Sequence, residues 1–389
     1  MQHHPIQNDW PMTQLVPSSA DNGSFSVTRQ IFDEAQRNLP KPIWDYLSGG
    51  SESELTLRRN RQALDGIGLR PRVLRNVQSV DTATSLLGLP LSLPVFLAPI
   101  GSLGVLHRAG APASARAATS AGTTLFFGVH SETPLDEVVR HASSPLVFQL
   151  YLRGDREWAL AIIERAAKLG FHAVCITVDL PVVGRRERDI LNRFSPLTVL
   201  DRPNLGADPT VTDGHLARAD WGLIVEIIAA SPLPVILKGI QGAEDAVLAV
   251  EAGAKVVYVS NHGGRQLDHA ASSIEILPEV VAAVAGRAEI VIDSGFVRGS
   301  DIVKALALGA RAVGLGKLHG WALAAGGEQG VRRMLDILRE EVRGVMSLLG
   351  ATSVGELSPA SLRSVVPVDA SRPYQPFPDL DSVARGRQA

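Results

Sequence analysis

A single cysteine stands in a chain of 389 residues. Cys175 alone builds neither a disulfide framework nor a cysteine-based zinc site. An excess of one charge sign is also missing. The 38 basic residues are matched by 40 acidic ones, for a net charge of -2. That balance gives no electrostatic basis for holding a nucleic acid. No apolar run reaches the roughly 18 residues that span a bilayer, so no membrane partner is expected. The N-terminus lacks a secretory pattern: it is polar, with Pro5, Pro11, Pro17 and Gly23 and no apolar stretch. The final Arg-Gln-Ala is not a peroxisomal address. A cytoplasmic location is the expectation. His3 and His4 are adjacent in a polar tail, a poor ligand set, and no metal site is expected. Disorder of the whole chain is excluded, because 45% of the residues are apolar and only 20% charged.

What is present is a rhythm. From residue 95 onward, short apolar runs alternate with amphipathic helical stretches. The runs cover residues 95–98, 124–129, 146–151, 173–178, 235–238, 256–260, 290–293 and 312–315. Each is nearly continuous in apolar character, as for a strand buried on both faces. Helical spacing marks residues 158–169, 243–252, 302–308 and 331–349. Four of the helices end at Gly122, Gly170, Gly253 and Gly309, where glycine supplies a left-handed cap. Eight strands in strict alternation with helices predict an α/β fold of the (β/α)8 TIM barrel type. A doubly wound sheet is the alternative, weakened by the absence of any G-x-G-x-x-G after a strand. The expected organisation is an N-terminal arm over residues 1–25, a helical extension over 26–94, the barrel over 95–365 and a polar tail over 366–389. A Pro-rich loop, 189–219, interrupts the barrel and suits a lid. The barrel interior is expected to be layered in Val, Ile and Leu.

In such a barrel, chemistry belongs at the C-terminal ends of the strands. Polar residues fall there on five successive strands: Gln149 and Tyr151, Thr177 and Asp179, Lys238, Ser260 to His262, and Asp293. The run Ser260-Asn-His-Gly-Gly-Arg-Gln-Leu-Asp268 puts His262 directly after a buried strand. Imidazole is the side chain best suited to take a proton at neutral pH. A lone histidine at a strand end is more often structural. The run Thr177-Val-Asp-Leu-Pro-Val-Val-Gly-Arg-Arg-Glu187 offers Asp179 as a partner that fixes an imidazole tautomer. It also offers Arg185 or Arg186 to a carboxylate, although paired arginines are usually a solvated loop. Lys238 closes an otherwise apolar strand and needs a partner or a shifted pKa. Asp293-Ser-Gly295 and Gly314-Leu-Gly-Lys317 are glycine turns at the usual barrel position for a phosphate.

These two runs together resemble the FMN-dependent α-hydroxy-acid oxidase/dehydrogenase family of glycolate oxidase, lactate oxidase and mandelate dehydrogenase. Six further segments match in order, among them Phe148-Gln-Leu-Tyr151 and Leu237-Lys-Gly239, so the likeness spans about residues 27–362. The resemblance implies FMN as cofactor and oxidation of a small L-2-hydroxy acid to the 2-oxo acid, with dioxygen, a quinone or another acceptor reoxidising the flavin. It implies His262 as base, Asp179 as its carboxylate partner, and Arg186, Arg265 and Tyr46 on the substrate carboxylate. Tyr151 falls near the substrate hydroxyl, and His130 near the side chain, where relatives carry an aromatic residue. Cofactor contacts fall on Ala98, Pro99, Ile100, Gly101, Gly128, Gln149, Thr177, Lys238, Ser260, Asp293, Ser294, Gly295, Arg298, Gly316 and Lys317. Two phosphate-site arginines of the family are Val297 and Lys317 here, with Arg298 next in line. A homotetramer is the assembly that the resemblance implies. A flavin-dependent barrel isomerase lacks a reason to retain Tyr46, Arg186, Arg265 and His262 together. A non-catalytic barrel is expected to have lost at least one of them.

Overall fold

Each of the eight apolar runs forms a strand: β1 (Val95–Leu97), β2 (Phe126–Gly128), β3 (Val147–Leu150), β4 (Ala173–Thr177), β5 (Val235–Ile240), β6 (Val256–Val259), β7 (Glu289–Ile292) and β8 (Ala312–Leu315). They come from a computed structural model that describes residues 25–196, 200–206 and 212–367. The sheet order is β1-β8-β7-β6-β5-β4-β3-β2, and the paired neighbours run parallel. A parallel bridge between Leu97 and Leu125 joins β1 to the start of β2, so the sheet closes. The predicted (β/α)8 barrel is the observed fold. The glycine caps take positive φ at Gly122 (74°), Gly170 (84°), Gly253 (97°) and Gly309 (106°), a region costly for a residue with a Cβ.

The interior holds the expected Val and Ile at Val147, Ile236, Val256 and Val291, and adds aromatic rings that the sequence did not suggest. Phe96 and Phe126 stack at 4.3 Å between centroids, and Tyr258 meets both edge-on. Small residues on other strands make room for these rings. Ala173 and Ala312 share that layer, and a Cβ on Gly314 would lie 2.3 Å from the Tyr258 hydroxyl. A hairpin of Thr84–Leu86 and Leu89–Leu91 packs Leu86 and Leu91 into the same cluster. The bottom of the barrel is thereby filled, and open space is left at the other end.

The segment before the barrel is helical, as expected: Thr28–Asn38, Lys41–Ser48 and Leu55–Asp65. Pro40 caps the second helix and stops the first. The third helix was not foreseen. It docks on the barrel top through Arg61, which grips Asp301 with two hydrogen bonds of 2.7 and 2.8 Å. Lys317–Leu349 runs 33 residues, with non-helical backbone at Gly326 and Gly327. Phe25 is buried, and its carbonyl accepts from Arg333, so the described chain is already docked there. The remainder of the proposed arm, and residues 368–389 of the tail, lie outside the described residues. So do residues 197–199 and 207–211 of the long loop. Among the described residues no helix is long and apolar enough to cross a membrane, and no metal-ligating cluster is found.

Candidate active site

A cavity of about 730 Å³ opens at the C-terminal ends of the strands, within the range of small-molecule and cofactor sites. His262 leaves β6 with a left-handed backbone, φ 58°, and its N–H donates to Ser260 Oγ at 3.1 Å. That turn directs the ring across to Asp179, two residues beyond β4. Its Nδ1 lies 3.1 Å from Asp179 Oδ1. Its Nε2 faces the Tyr151 hydroxyl at 3.5 Å. With Nδ1–H committed to the carboxylate, Nε2 keeps a lone pair toward the cavity. Burial, aided by Lys238 and Arg186, holds the imidazole below its ordinary pKa although Asp179 pulls the other way. Burial alone would raise Asp179, but His262 and Lys238 bring its pKa below the usual carboxylate range. The pair is therefore a neutral base beside an anion. Burial pushes the Tyr151 phenol up to about 12, so it stays a donor.

Lys238 sits at the end of β5, 3.0 Å from Ser260 Oγ and 3.7 Å from Asp293 Oδ2. Burial works against its charge, yet Asp293 and Asp179 raise its pKa above the usual lysine value. The ammonium is fixed at the cavity wall. Gln149 Nε2 donates to Thr177 Oγ1 at 2.9 Å, so both are tied below the same wall. A Cβ on Gly128 would come within 3.2 Å of Gln149 Oε1. Ala98, Pro99, Ile100 and Gly101 line the cavity from the end of β1.

On the other side stand two guanidinium groups. Arg265 packs 4.8 Å above the Tyr46 ring and donates to the Tyr46 carbonyl. Arg186 donates to the Arg265 carbonyl at 3.4 Å. Burial and the neighbouring Arg265 charge push Arg186 down to about 10. Two forks facing one cavity suit a carboxylate, which each can meet bidentately. Asp189, 4.0 Å from Arg265 at the rim, was not singled out from sequence.

The far end is built for an anion. Asp293, Ser294, Gly295, Gly316 and Lys317 line it. Lys317 opens the long helix, so its charge and the free helix N-terminal amides converge. Lys317 Nζ donates to the Gly263 carbonyl at 3.1 Å. Burial, then Arg265, drives its pKa well below the usual value, a cost that a bound phosphate reverses. Nothing lies within 4 Å of a Cβ built on Gly316. This donor set fits FMN, phosphate at Lys317 and ring at Lys238. Arg298 does not join it: its side chain turns to Glu341, at 2.8 Å, outside the cavity lining. Val297 lines the wall in place of a cation. Ser260 supports Lys238 and His262 from beneath and does not line the cavity.

His130 lines the cavity after β2, is buried, and stacks on Tyr151 at 4.8 Å. Arg202, from the long loop, donates to the carbonyls of His130, Gly101 and Pro196. It fastens that loop to the ends of β1 and β2. Neither Arg202 nor the Arg61–Asp301 pairing carried a sequence signal, since each joins groups far apart along the chain.

A barrel that couples a neutral imidazole base, a carboxylate-holding pair of arginines and a cradle for a phosphorylated ring cofactor is an oxidoreductase scaffold. The chain belongs to the FMN-dependent dehydrogenase family, whose profile matches residues 35–364. FMN is its cofactor. It is 41% identical over 347 residues to an L-lactate oxidase of Nostoc sp., a match covering 84% of this chain and 95% of that one. It is 39% identical over 360 residues to glycolate oxidase 1 of Oryza sativa subsp. japonica, covering 89% and 96%. Among solved structures, mandelate oxidase with (S)-2-phenylpropionate superposes with a TM-score of 0.80 at 39% identity, over 89% of this chain and 100% of that one. A soluble mutant of the membrane-associated (S)-mandelate dehydrogenase from Pseudomonas putida gives 0.84 at 36% identity, over 87% and 99%.

Proposed function

We propose that this enzyme oxidises an L-2-hydroxy acid to the 2-oxo acid, and that both dioxygen and a quinone-like acceptor reoxidise it. The observation that carries the reading is the facing of His262 Nε2 and Tyr151 Oη at 3.5 Å across a cavity whose other wall holds Arg186 and Arg265. Arg186, Arg265 and Tyr46 hold the substrate carboxylate. That anchoring brings the carbinol carbon beside His262. Nε2 takes one proton, from the hydroxyl or from the α-carbon. Asp179 stabilises the imidazolium that results. Tyr151 donates toward the substrate oxygen. FMN, when bound, supplies the two-electron sink that leaves a C=O bond in place of the C–H and O–H bonds. Lys238 provides the fixed positive charge that favours an electron-rich ring. The relatives named for lactate, glycolate and mandelate support the substrate class.

The acceptor reading draws on Gly101, which leaves the cavity wall beside the end of β1 without a side chain. A homotetramer working in the cytoplasm completes it. The exposed Val73, Leu74 and Leu348 lie near one another, through the bond from Arg72 N–H to the Leu348 carbonyl, and suit an interface between copies.

The test is anaerobic bleaching of the bound flavin by a panel of 2-hydroxy acids. The parent should bleach. His262→Ala should hold FMN yet reduce it about a hundred- to ten thousand-fold more slowly. Bleaching at the parent rate in that variant removes His262 as the base.

A further inference from the structure

One of the rings that fill the barrel carries an oxygen. Tyr258 is fully buried in the same layer as Phe96 and Phe126. A buried hydroxyl is costly unless it is bonded. This one donates to Asp293 Oδ2 at 2.9 Å. Burial first, then the Asp293 charge, push the phenol well above its usual pKa, so it stays a donor. The opposite strand leaves room for it. A Cβ on Gly314 would lie 2.3 Å from the hydroxyl, with the Phe96 ring next at 3.0 Å. Lys238 and Asp293 line the cavity above, and Tyr258 does not. Yet Tyr258 meets both: Lys238 Nζ stands 5.3 Å from the centroid of its ring. Asp293 Oδ2, the atom that accepts from Tyr258, is also the one that faces Lys238 Nζ, at 3.7 Å. That is too long for a hydrogen bond. Asp293 Oδ1 accepts from Ser294 Oγ at 2.8 Å. Neutral donors thus engage both carboxylate oxygens, and Lys238 donates to Ser260 Oγ instead, at 3.0 Å.

We propose that Tyr258 is a positioning residue that sets the electron affinity of bound FMN, by holding the Asp293 charge off Lys238. Without the hydroxyl, a buried carboxylate oxygen loses its donor. The nearest replacement is the Lys238 ammonium. A closer pair cancels more of the positive field at the cavity wall, where the local dielectric is low. With the hydroxyl in place, the ammonium keeps its charge available to the ring above it, and an electron-rich ring is favoured. Tyr258 touches neither substrate nor cofactor and acts through Asp293. The inference uses the fit of Lys238 to the flavin ring and does not depend on which acid the enzyme oxidises.

The test uses the FMN holoenzyme without substrate. Two readouts report the charge felt by the ring. One is the midpoint potential, from a spectrophotometric redox titration. The other is the Kd of sulfite, which adds reversibly to oxidised flavin and leaves the ring negatively charged. Tyr258→Phe keeps the ring beneath Lys238 and removes one oxygen. It should weaken sulfite binding about tenfold and lower the two-electron potential by about 30 mV, the equivalent of that factor. Asp293→Asn removes the opposing charge and should shift both readouts the other way. Adding Tyr258→Phe to Asp293→Asn should then change neither, because the hydroxyl acts through the carboxylate. A ring that only fills space would alter melting temperature or FMN content and leave potential and sulfite affinity in place. That result overturns the proposal, as does an effect of Tyr258→Phe that persists undiminished in the Asp293→Asn background. If Tyr258→Phe does not retain FMN, Asp293→Asn decides alone, and a potential that stays put or falls there overturns the proposal as well.

Discussion

At the scale of single residues, the site works by keeping charge where it is needed and proton affinity where it is used. His262 is held below the ordinary imidazole value by burial, with Asp179 as the opposing influence. Flavin reduction needs the neutral ring. Its rate should therefore rise with pH on an acid limb lying below about 6.5, and stay level above it. Asp179→Asn removes the influence that raises His262, so the acid limb should shift to lower pH. The plateau should fall by about a hundredfold or more, because the imidazolium loses its counter-charge. Stopped-flow reduction between about pH 5 and 8 measures both. A limb that stays in place in Asp179→Asn would disconnect the pair. Gly101 makes a second case. Its φ is not in the left-handed region, so backbone conformation does not require glycine there. Space does: a Cβ would lie 3.0 Å from His130 Cβ. Gly101→Ala should push His130 by a few tenths of an ångström. It should alter both the ranking of substrates and the rate at which dioxygen, compared with a quinone or dye, reoxidises the reduced enzyme. Fast reoxidation by dioxygen in the parent, unmoved by the methyl, would leave a plain oxidase and discard the second acceptor.

Among the elements, the helix Leu55–Asp65 matters more than its position outside the barrel suggests. Arg61 and Asp301 are 5% and 1% exposed, and the pair joins that helix to the start of Gly299–Ala307. Asp301 also accepts from the N–H groups of Val297 and Arg298, so it caps its own helix. Arg61→Met should cost about 3–5 kcal/mol, because a buried carboxylate is left without its cation. Urea denaturation with FMN bound checks it, and a loss below about 1 kcal/mol would make the pair a surface-like one. This element also shows what the sequence could and could not reveal. Strands and helix caps were legible, since each depends on residues close in sequence, and the roles of His262, Asp179, Arg186 and Arg265 were legible through the family resemblance of the two runs that carry them. Arg61 also meets Asp65 one turn on, but its buried partner Asp301 lies 240 positions away, and no period or motif encodes that pairing. Arg298 was misplaced for the same reason. Its neighbours suggested a phosphate cation, while Glu341, on a helix 43 residues later, takes the side chain. The aromatic filling of the barrel was also hidden, because Phe96, Phe126 and Tyr258 come from three separate strands.

For the whole molecule, acid should be the vulnerable direction. His130 and His319 are buried and pushed down to about 3 by desolvation. Unfolded, each takes a proton near pH 6.5. Between those values the unfolded chain binds more protons than the folded one, so stability falls as pH falls, by about 1.4 kcal/mol per pH unit for each ring. Asp45, Asp179 and Asp301, lowered in the fold, act in the same direction further down. Glu132 and Glu341, raised by burial, act against it. Melting temperatures taken from pH 7 downward should drop well before the carboxylates titrate, and a level profile to about pH 4 would contradict this balance.

The break at Gly326 and Gly327 in Lys317–Leu349 has a consequence for how the enzyme diverges. An unbroken helix of 33 residues would be a rod of about 50 Å, and any rotation at one end would swing the other. Split at the two glycines, the two segments can hold different directions. The first aims its N-terminus at the anion and is held by the outer helices through Trp321 and the Ala324 carbonyl. The second holds the Phe25 carbonyl through Arg333 and the Gly299 N–H through Glu341. Substitutions around the second segment can therefore accumulate without swinging the first away from the anion.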